Sequence, residues 1–253
     1  MPDFRASDGV RLNYFVWGEA GDRPPVFLHH GFAASALLNW HGTGVVQALL
    51  DGGRQAIAID ARGHGGSDAP TDPALYGEVR LAKDVGELLD HLGVSRIDLA
   101  GYSMGAITAL IFASGDDRVR RLWIGGVGEA VIDLGGVETR LLPPGALIAA
   151  LEADQRPADM HPGVAEFRIF AERTGGHLKA LAAQARSLHA APIALDMVRM
   201  PTRLVVGDQD PLARNPQRLA DALPDAELII LPGTHLGVCS IPQFAESIVA
   251  FVN

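Results

Sequence analysis

The stretch Ile97-Asp98-Leu99-Ala100-Gly101-Tyr102-Ser103-Met104-Gly105-Ala106 decides the fold of this 253-residue chain. A short apolar run ends in Gly-x-Ser-x-Gly, and a second apolar run over 106–113 follows at helical length. A serine between a strand and a helix sits on a sharp turn in a strained backbone conformation, with its hydroxyl raised above the sheet. Glycines at 101 and 105 have a steric reason, because side chains there would collide with neighbouring backbone in so tight a turn. The helix start leaves backbone N–H groups free, that of Met104 among them, to stabilise a developing oxyanion. Gly-x-Ser-x-Gly alone is a common accident; the strand–turn–helix setting gives it weight.

Outward from this turn, short apolar runs alternate with helical patterns. Residues 10–17, 25–29, 55–60, 121–125, 202–207 and 227–231 read as further strands. From 25 onward the runs are near-continuous rather than alternating, as expected of parallel strands buried on both faces. Leu81, Val85, Leu88 and Leu92 recur at helical spacing, as do Phe244, Ile248 and Phe251. Strands alternating with helices predict a mostly parallel, doubly wound α/β sheet with right-handed crossovers. Reactive groups then belong where the carboxyl ends of strands enter loops. The rhythm breaks between about 130 and 198, where Leu178, Leu181, Ala185 and Leu188 mark a helix and no clear strand occurs. A core over 1–130 and 199–253, with 131–198 inserted as a helical lid (cap), accounts for this better than a second domain.

A serine hydroxyl needs a base within hydrogen-bond reach, and a base histidine needs an acceptor for its other ring N–H. Leu204-Val205-Val206-Gly207-Asp208-Gln209-Asp210-Pro211 is a strand running into an acidic loop, and His235 follows the next strand in Pro232-Gly233-Thr234-His235-Leu236-Gly237. Ser103, Asp210 and His235 thus form the candidate catalytic set, each at a strand end and in the order nucleophile, acid, histidine. Asp208 is the alternative acid; Asp210 is preferred because it lies further into the loop. His29-His30-Gly31-Phe32 follows the strand at 25–28, and with no side chain at Gly31 the Phe32 N–H can face the nucleophile. Phe32 and Met104 are therefore the candidate oxyanion hole. His30 is read as shaping its loop rather than as a base. Ala33 and Leu236, with Phe32, Met104 and the lid, are candidate substrate contacts on the acyl side, which points to an apolar pocket. Trp40 is read as a core residue before a pocket edge, and Cys239 as a small buried one.

Together, His30-Gly31-Phe32, Asp60-Ala61-Arg62-Gly63-His64-Gly65-Gly66-Ser67, Gly101-Tyr102-Ser103-Met104-Gly105, Gly207-Asp208-Gln209-Asp210 and Gly233-Thr234-His235 resemble the α/β-hydrolase superfamily, in its serine esterase and non-haem haloperoxidase-like branch. The resemblance covers almost the whole chain and is weakest across 131–198. It implies a lid inserted after the sixth core strand, the acid at Asp210 and the histidine at His235, with residues 60–67 as a structural loop. Haloalkane dehalogenases and epoxide hydrolases of this fold carry aspartate as nucleophile, so Ser103 argues against both. The expected reaction is cleavage of carboxylic esters of a small, largely apolar molecule through an acyl-enzyme on Ser103, with no metal and no cofactor. A lactonase, a carbon–carbon bond hydrolase, a cofactor-free perhydrolase or a hydroxynitrile-lyase-like enzyme would use the same triad. A slow ligand-binding receptor or scaffold of this fold is the alternative from another class.

The bulk properties fit. Hydrophobic residues make up 48% of the chain, enough to cover both faces of a buried sheet, which excludes disordered and fibrous classes. The formal charge is −9, from 30 acidic and 21 basic residues, with no basic stripe of the kind a nucleic acid requires. One cysteine precludes an intrachain disulfide and a cysteine-based metal site. The first residues do not read as a secretory signal, and no apolar stretch approaches the roughly 20 residues of a membrane span. The expectation is a cytoplasmic protein with a small-molecule substrate and no nucleic-acid or membrane partner; a homodimer stays open.

Overall fold

The computed structural model describes residues 2–253. Eight strands, β1 (Asp3–Arg5), β2 (Arg11–Trp17), β3 (Val26–His29), β4 (Ala56–Ile59), β5 (Ile97–Tyr102), β6 (Val119–Gly125), β7 (Thr202–Gly207) and β8 (Ala226–Leu231), form one sheet in the order β1-β2-β4-β3-β5-β6-β7-β8. β2 pairs antiparallel with β1 and β4, and the remaining pairs are parallel. The helices are α1 (Val45–Asp51), α2 (Glu78–Leu92), α3 (Met104–Ala113), α4 (Ala130–Asp133), α5 (Pro144–Glu152), α6 (Pro162–Arg173), α7 (Leu178–Arg186), α8 (Pro216–Ala222) and α9 (Pro242–Val252).

Successive strand residues enter two separate cores. Phe27, Leu99, Leu122, Ile124, Leu204 and Val206 pack with α2, α3 and α8 on one face. Val26, Leu28, Ala100, Trp123 and Val205 pack with α1 and α9 on the other. Side chains of a strand alternate between faces, and here both faces are covered, so an alternating geometry is written as an unbroken apolar run. Trp40 lies in the second core, stacked on Phe244 at 6.3 Å between ring centroids, and so is a packing residue. β1 has no counterpart among the strands read from sequence. Its three residues carry no periodicity, and pairing of Asp3–Arg5 with 11–13 of β2 creates the strand.

Helices α4 to α7 fill the interval between β6 and β7, with no strand among them. Their apolar residues, including Leu147, Leu151, Val164, Phe167 and Leu181, form a small cluster of their own. Phe32 and Leu212, from loops at the carboxyl ends of β3 and β7, pack against that cluster. The segment is tied to α2 through Glu78, whose carboxylate accepts the His189 N–H at 2.7 Å and the Gln184 Nε2–H at 3.3 Å. Burial pushes the Glu78 carboxyl up to about 7. Among the described residues, no helix is long and apolar enough to cross a membrane.

Candidate active site

The turn after β5 has the strain expected of it. Ser103 sits at φ 54° and ψ −115°, a region that L-residues avoid at a cost of about 1–3 kcal/mol. The neighbours leave no room to relax. A Cβ on Gly101 would lie 2.2 Å from the Gly105 carbonyl oxygen, and one on Gly105 would lie 2.1 Å from that of His29. These glycines let β3 and the start of α3 approach each other closely enough to hold the serine upright.

The three predicted catalytic side chains meet. The Ser103 hydroxyl donates to His235 Nε2 at 2.9 Å, and His235 Nδ1–H donates to Asp210 Oδ2 at 2.8 Å. A carboxylate only accepts, so Asp210 puts the imidazole proton on Nδ1 and leaves Nε2 free to receive the serine proton. Asp210 Oδ1 is engaged by the Leu212 N–H at 2.9 Å, which fixes the carboxylate plane. All three residues are buried, at 7%, 7% and 6% exposure for Ser103, Asp210 and His235. Burial strengthens each of these interactions by lowering the local dielectric. Tyr102, which the sequence reading did not single out, donates its hydroxyl to the His235 carbonyl at 2.5 Å and so fixes the histidine backbone.

The structure separates the two candidate acids. Asp208 is exposed, and its carboxylate accepts the Gly233 N–H at 2.8 Å, closing a turn. Asp210→Asn should therefore lower kcat by roughly 10⁴, because the amide can enforce the wrong histidine tautomer. Asp208→Asn should leave kcat within about threefold, since it alters one exposed turn contact. Steady-state ester hydrolysis by the two variants checks this.

The loop after β3 is held from several sides. The Gly31 N–H donates to Asn39 Oδ1 at 2.9 Å and the Ala33 N–H to His64 Nε2 at 3.1 Å. Between them, among the described residues, the Phe32 N–H is engaged by no protein acceptor, and neither is that of Met104. A Cβ on Gly31 would lie 3.4 Å from that of Ser103, so the loop lies directly against the nucleophile. Two backbone donors left free beside a serine hydroxyl suit an anionic oxygen. His30 shapes this loop, as read from sequence: its Nδ1–H donates to the Gly31 carbonyl at 2.8 Å and its Nε2 accepts the Ala61 N–H at 2.9 Å. Asp60 and Arg62 are likewise structural, Asp60 accepting from Asn13, Ala36 and Gly66, and Arg62 pairing with Asp8 and Asp84.

Two cavities border Ser103, separated by Phe32 and Phe167, whose rings stand 6.0 Å apart. One, of about 30 Å³, runs toward Val127, Leu142, Leu147 and Leu188. The other, of about 130 Å³, runs past His235 and Leu236 toward Leu38 and Thr43. Leu236, expected among the acyl contacts, lines this larger cavity and not the smaller one. Ala33 borders neither cavity, because its φ of 60° and its bond to His64 turn it away, and it faces a separate hollow beside Gly63 and Arg173. The lid was expected to contribute contacts, but its wall residues Leu142, Leu147, Phe167 and Leu188 were not singled out individually. Their apolar spacing signals only that a helix buries one face, not which cavity that face borders. Among the described residues, no group of three or more His, Cys, Asp or Glu stands ready to hold a metal ion.

Sheet order, nucleophile turn and the loops after β3, β7 and β8 are those of the α/β-hydrolase fold. Residues 24–134 match the family described as the alpha/beta hydrolase fold. The chain superimposes on an enol-lactonase from Burkholderia xenovorans LB400 with a TM-score of 0.75 and 22% identity, covering 99% of each chain. It is also similar to a hydrolase from Pseudomonas aeruginosa PA01, with a TM-score of 0.72 and 24% identity over 100% of this chain and 98% of that one. In sequence it is 39% identical over 101 residues to Epoxide hydrolase A of Mycobacterium tuberculosis, a match covering 40% of this chain and 30% of that protein. The matched stretch thus spans less than a third of that relative's length.

Proposed function

We propose that this protein is a serine hydrolase that cleaves carboxylic esters of small, largely apolar molecules. The observation that carries this reading is the unbroken hydrogen-bond chain from Ser103 through His235 to Asp210, beside two free backbone donors. Ser103 Oγ attacks the ester carbonyl as its proton passes to His235 Nε2, and the carbonyl oxygen becomes an oxyanion held by the N–H groups of Phe32 and Met104. The C–O bond then breaks, the leaving alkoxide takes the proton from His235, and an acyl-enzyme remains on Ser103. A water gives its proton to His235 and attacks the acyl carbon. Collapse releases the carboxylic acid and returns the proton to the serine. Segment 131–198 acts as the lid, excluding water from the oxyanion and supplying walls for the substrate.

A carboxylate nucleophile that opens an epoxide forms an ester, which water can cleave at its carbonyl. A serine that opened an epoxide would form an alkyl ether with no carbonyl to attack, and the enzyme would stop after one turnover. The protein should therefore turn over p-nitrophenyl butyrate, and should not turn over styrene oxide. Multiple turnovers of the epoxide with no ester hydrolysis would remove the ester reading.

A further inference from the structure

We infer that the site takes esters of a short, neutral acyl group, acetyl to butyryl, on a larger alcohol, with Phe167 as the partition between the two. This rests on the serine hydrolase reading and assigns a side to each half of the substrate. The general acid fixes the direction. His235 Nε2 must reach the leaving oxygen, and His235 lines the cavity of about 130 Å³ but not the one of about 30 Å³. Phe32, whose N–H would help hold the carbonyl oxygen, lines both cavities, whereas Met104, the other donor, lines only the smaller one. A carbonyl with its leaving oxygen toward His235 and its own oxygen toward Met104 directs its acyl chain to the side of Met104, into the smaller cavity.

The walls of that cavity set the size and charge it accepts. Val127 and Met104 come from the core, and Leu142, Leu147 and Phe167 from the lid segment, all of them buried. Its one ionisable wall residue besides the serine is Glu138, whose carboxylate is taken up by Arg140 through Nε at 2.6 Å and Nη2 at 2.5 Å. The wall therefore offers no free charge to a substrate, and an apolar chain end is what it fits. The leaving-group side is the roomier of the two. Its far wall includes the exposed Leu38 and Ser240, so a larger alcohol extends toward solvent. Phe167 lies between them, touching both cavities from α6, with its ring 6.2 Å from the His235 ring.

The test uses p-nitrophenyl esters from acetate to decanoate, then acetates of primary alkanols from ethyl to octyl, whose leaving groups are alike in basicity. kcat/KM should peak between two and four acyl carbons and fall at least tenfold by eight, while the alcohol series should stay within about threefold. Leu188→Ala enlarges the small cavity at a half-buried position outside the packed clusters, so the variant should fold. It should raise the ratio of octanoate to butyrate hydrolysis about tenfold. Phe167→Ala should do the same more strongly by joining the two cavities. Rates that rise through decanoate, or a ratio unmoved in Leu188→Ala, would overturn the assignment while leaving the serine hydrolase reading standing. No hydrolysis of any ester, with no covalent labelling of Ser103, would remove both.

Discussion

Ser103→Ala should lower kcat for activated esters by roughly three to six orders of magnitude, equivalent to about 4–8 kcal/mol of transition-state stabilisation. What remains comes from the Phe32 and Met104 donors and from binding, so KM should change little. The same position carries a second expectation of opposite sign. Ser103 is held at φ 54°, where glycine rests without strain. Ser103→Gly should therefore abolish turnover and yet raise stability by about 1 kcal/mol, read as a higher urea midpoint at unchanged m. Loss of activity together with gain of stability is the signature of a backbone strained for function. A variant that lost both would point to a serine that serves packing.

The second large effect is on stability against pH. His29, His30 and His64 are fully buried, and burial lowers their imidazoles to about 4, about 4 and about 3. Each of two rings accepts from a backbone N–H, His30 from Ala61 and His64 from Ala33, and a second ring proton would collide with that donor. Their folded values lie below the unfolded value near 6.5. The stability they confer is therefore present above pH 6.5 and lost as pH falls toward 4, because the unfolded chain gains protons the native one refuses. Glu78 acts in the other direction. Its carboxyl, at about 7 in the folded state, lies above its unfolded value of 4.5, so its ionisation costs stability as pH rises through 7.

The three histidines together outweigh the one acid. Stability should fall by about 3 kcal/mol between pH 6.5 and pH 5. In Glu78→Gln, which removes the opposing titration, the same fall should be about 5 kcal/mol. Urea midpoints at the two pH values measure both. A midpoint that holds or rises on acidification would contradict the account of the buried histidines.

Legibility from sequence followed how local the cause of each feature is. The meeting of Ser103, Asp210 and His235 was readable because strand ends are marked by apolar runs, and the loops that follow converge at one edge of the sheet. The choice between Asp208 and Asp210 rested on position in the loop; burial and the direction of each carboxylate decide it, and both depend on where β8 and the loop after it lie. β1 was silent because its strand conformation comes from its partner. Ala33 was expected among the substrate contacts, but a single positive φ turns it into another hollow. The cavity walls come mostly from 131–198, where a leucine facing a substrate and a leucine facing a neighbouring helix are written the same way. Tyr102 occupies an unconstrained position of the Gly-x-Ser-x-Gly pattern, and its hydrogen bond to the His235 backbone spans 133 residues.

The central claim is that Ser103 is an activated nucleophile, and a fluorophosphonate probe on the purified protein tests it most directly. Intact mass should show one covalent adduct, peptide mapping should place it on Ser103, and the Ser103→Ala protein should remain unlabelled. A folded protein that takes no label, or carries it elsewhere, would contradict the account and make a ligand-binding role for this fold the better reading.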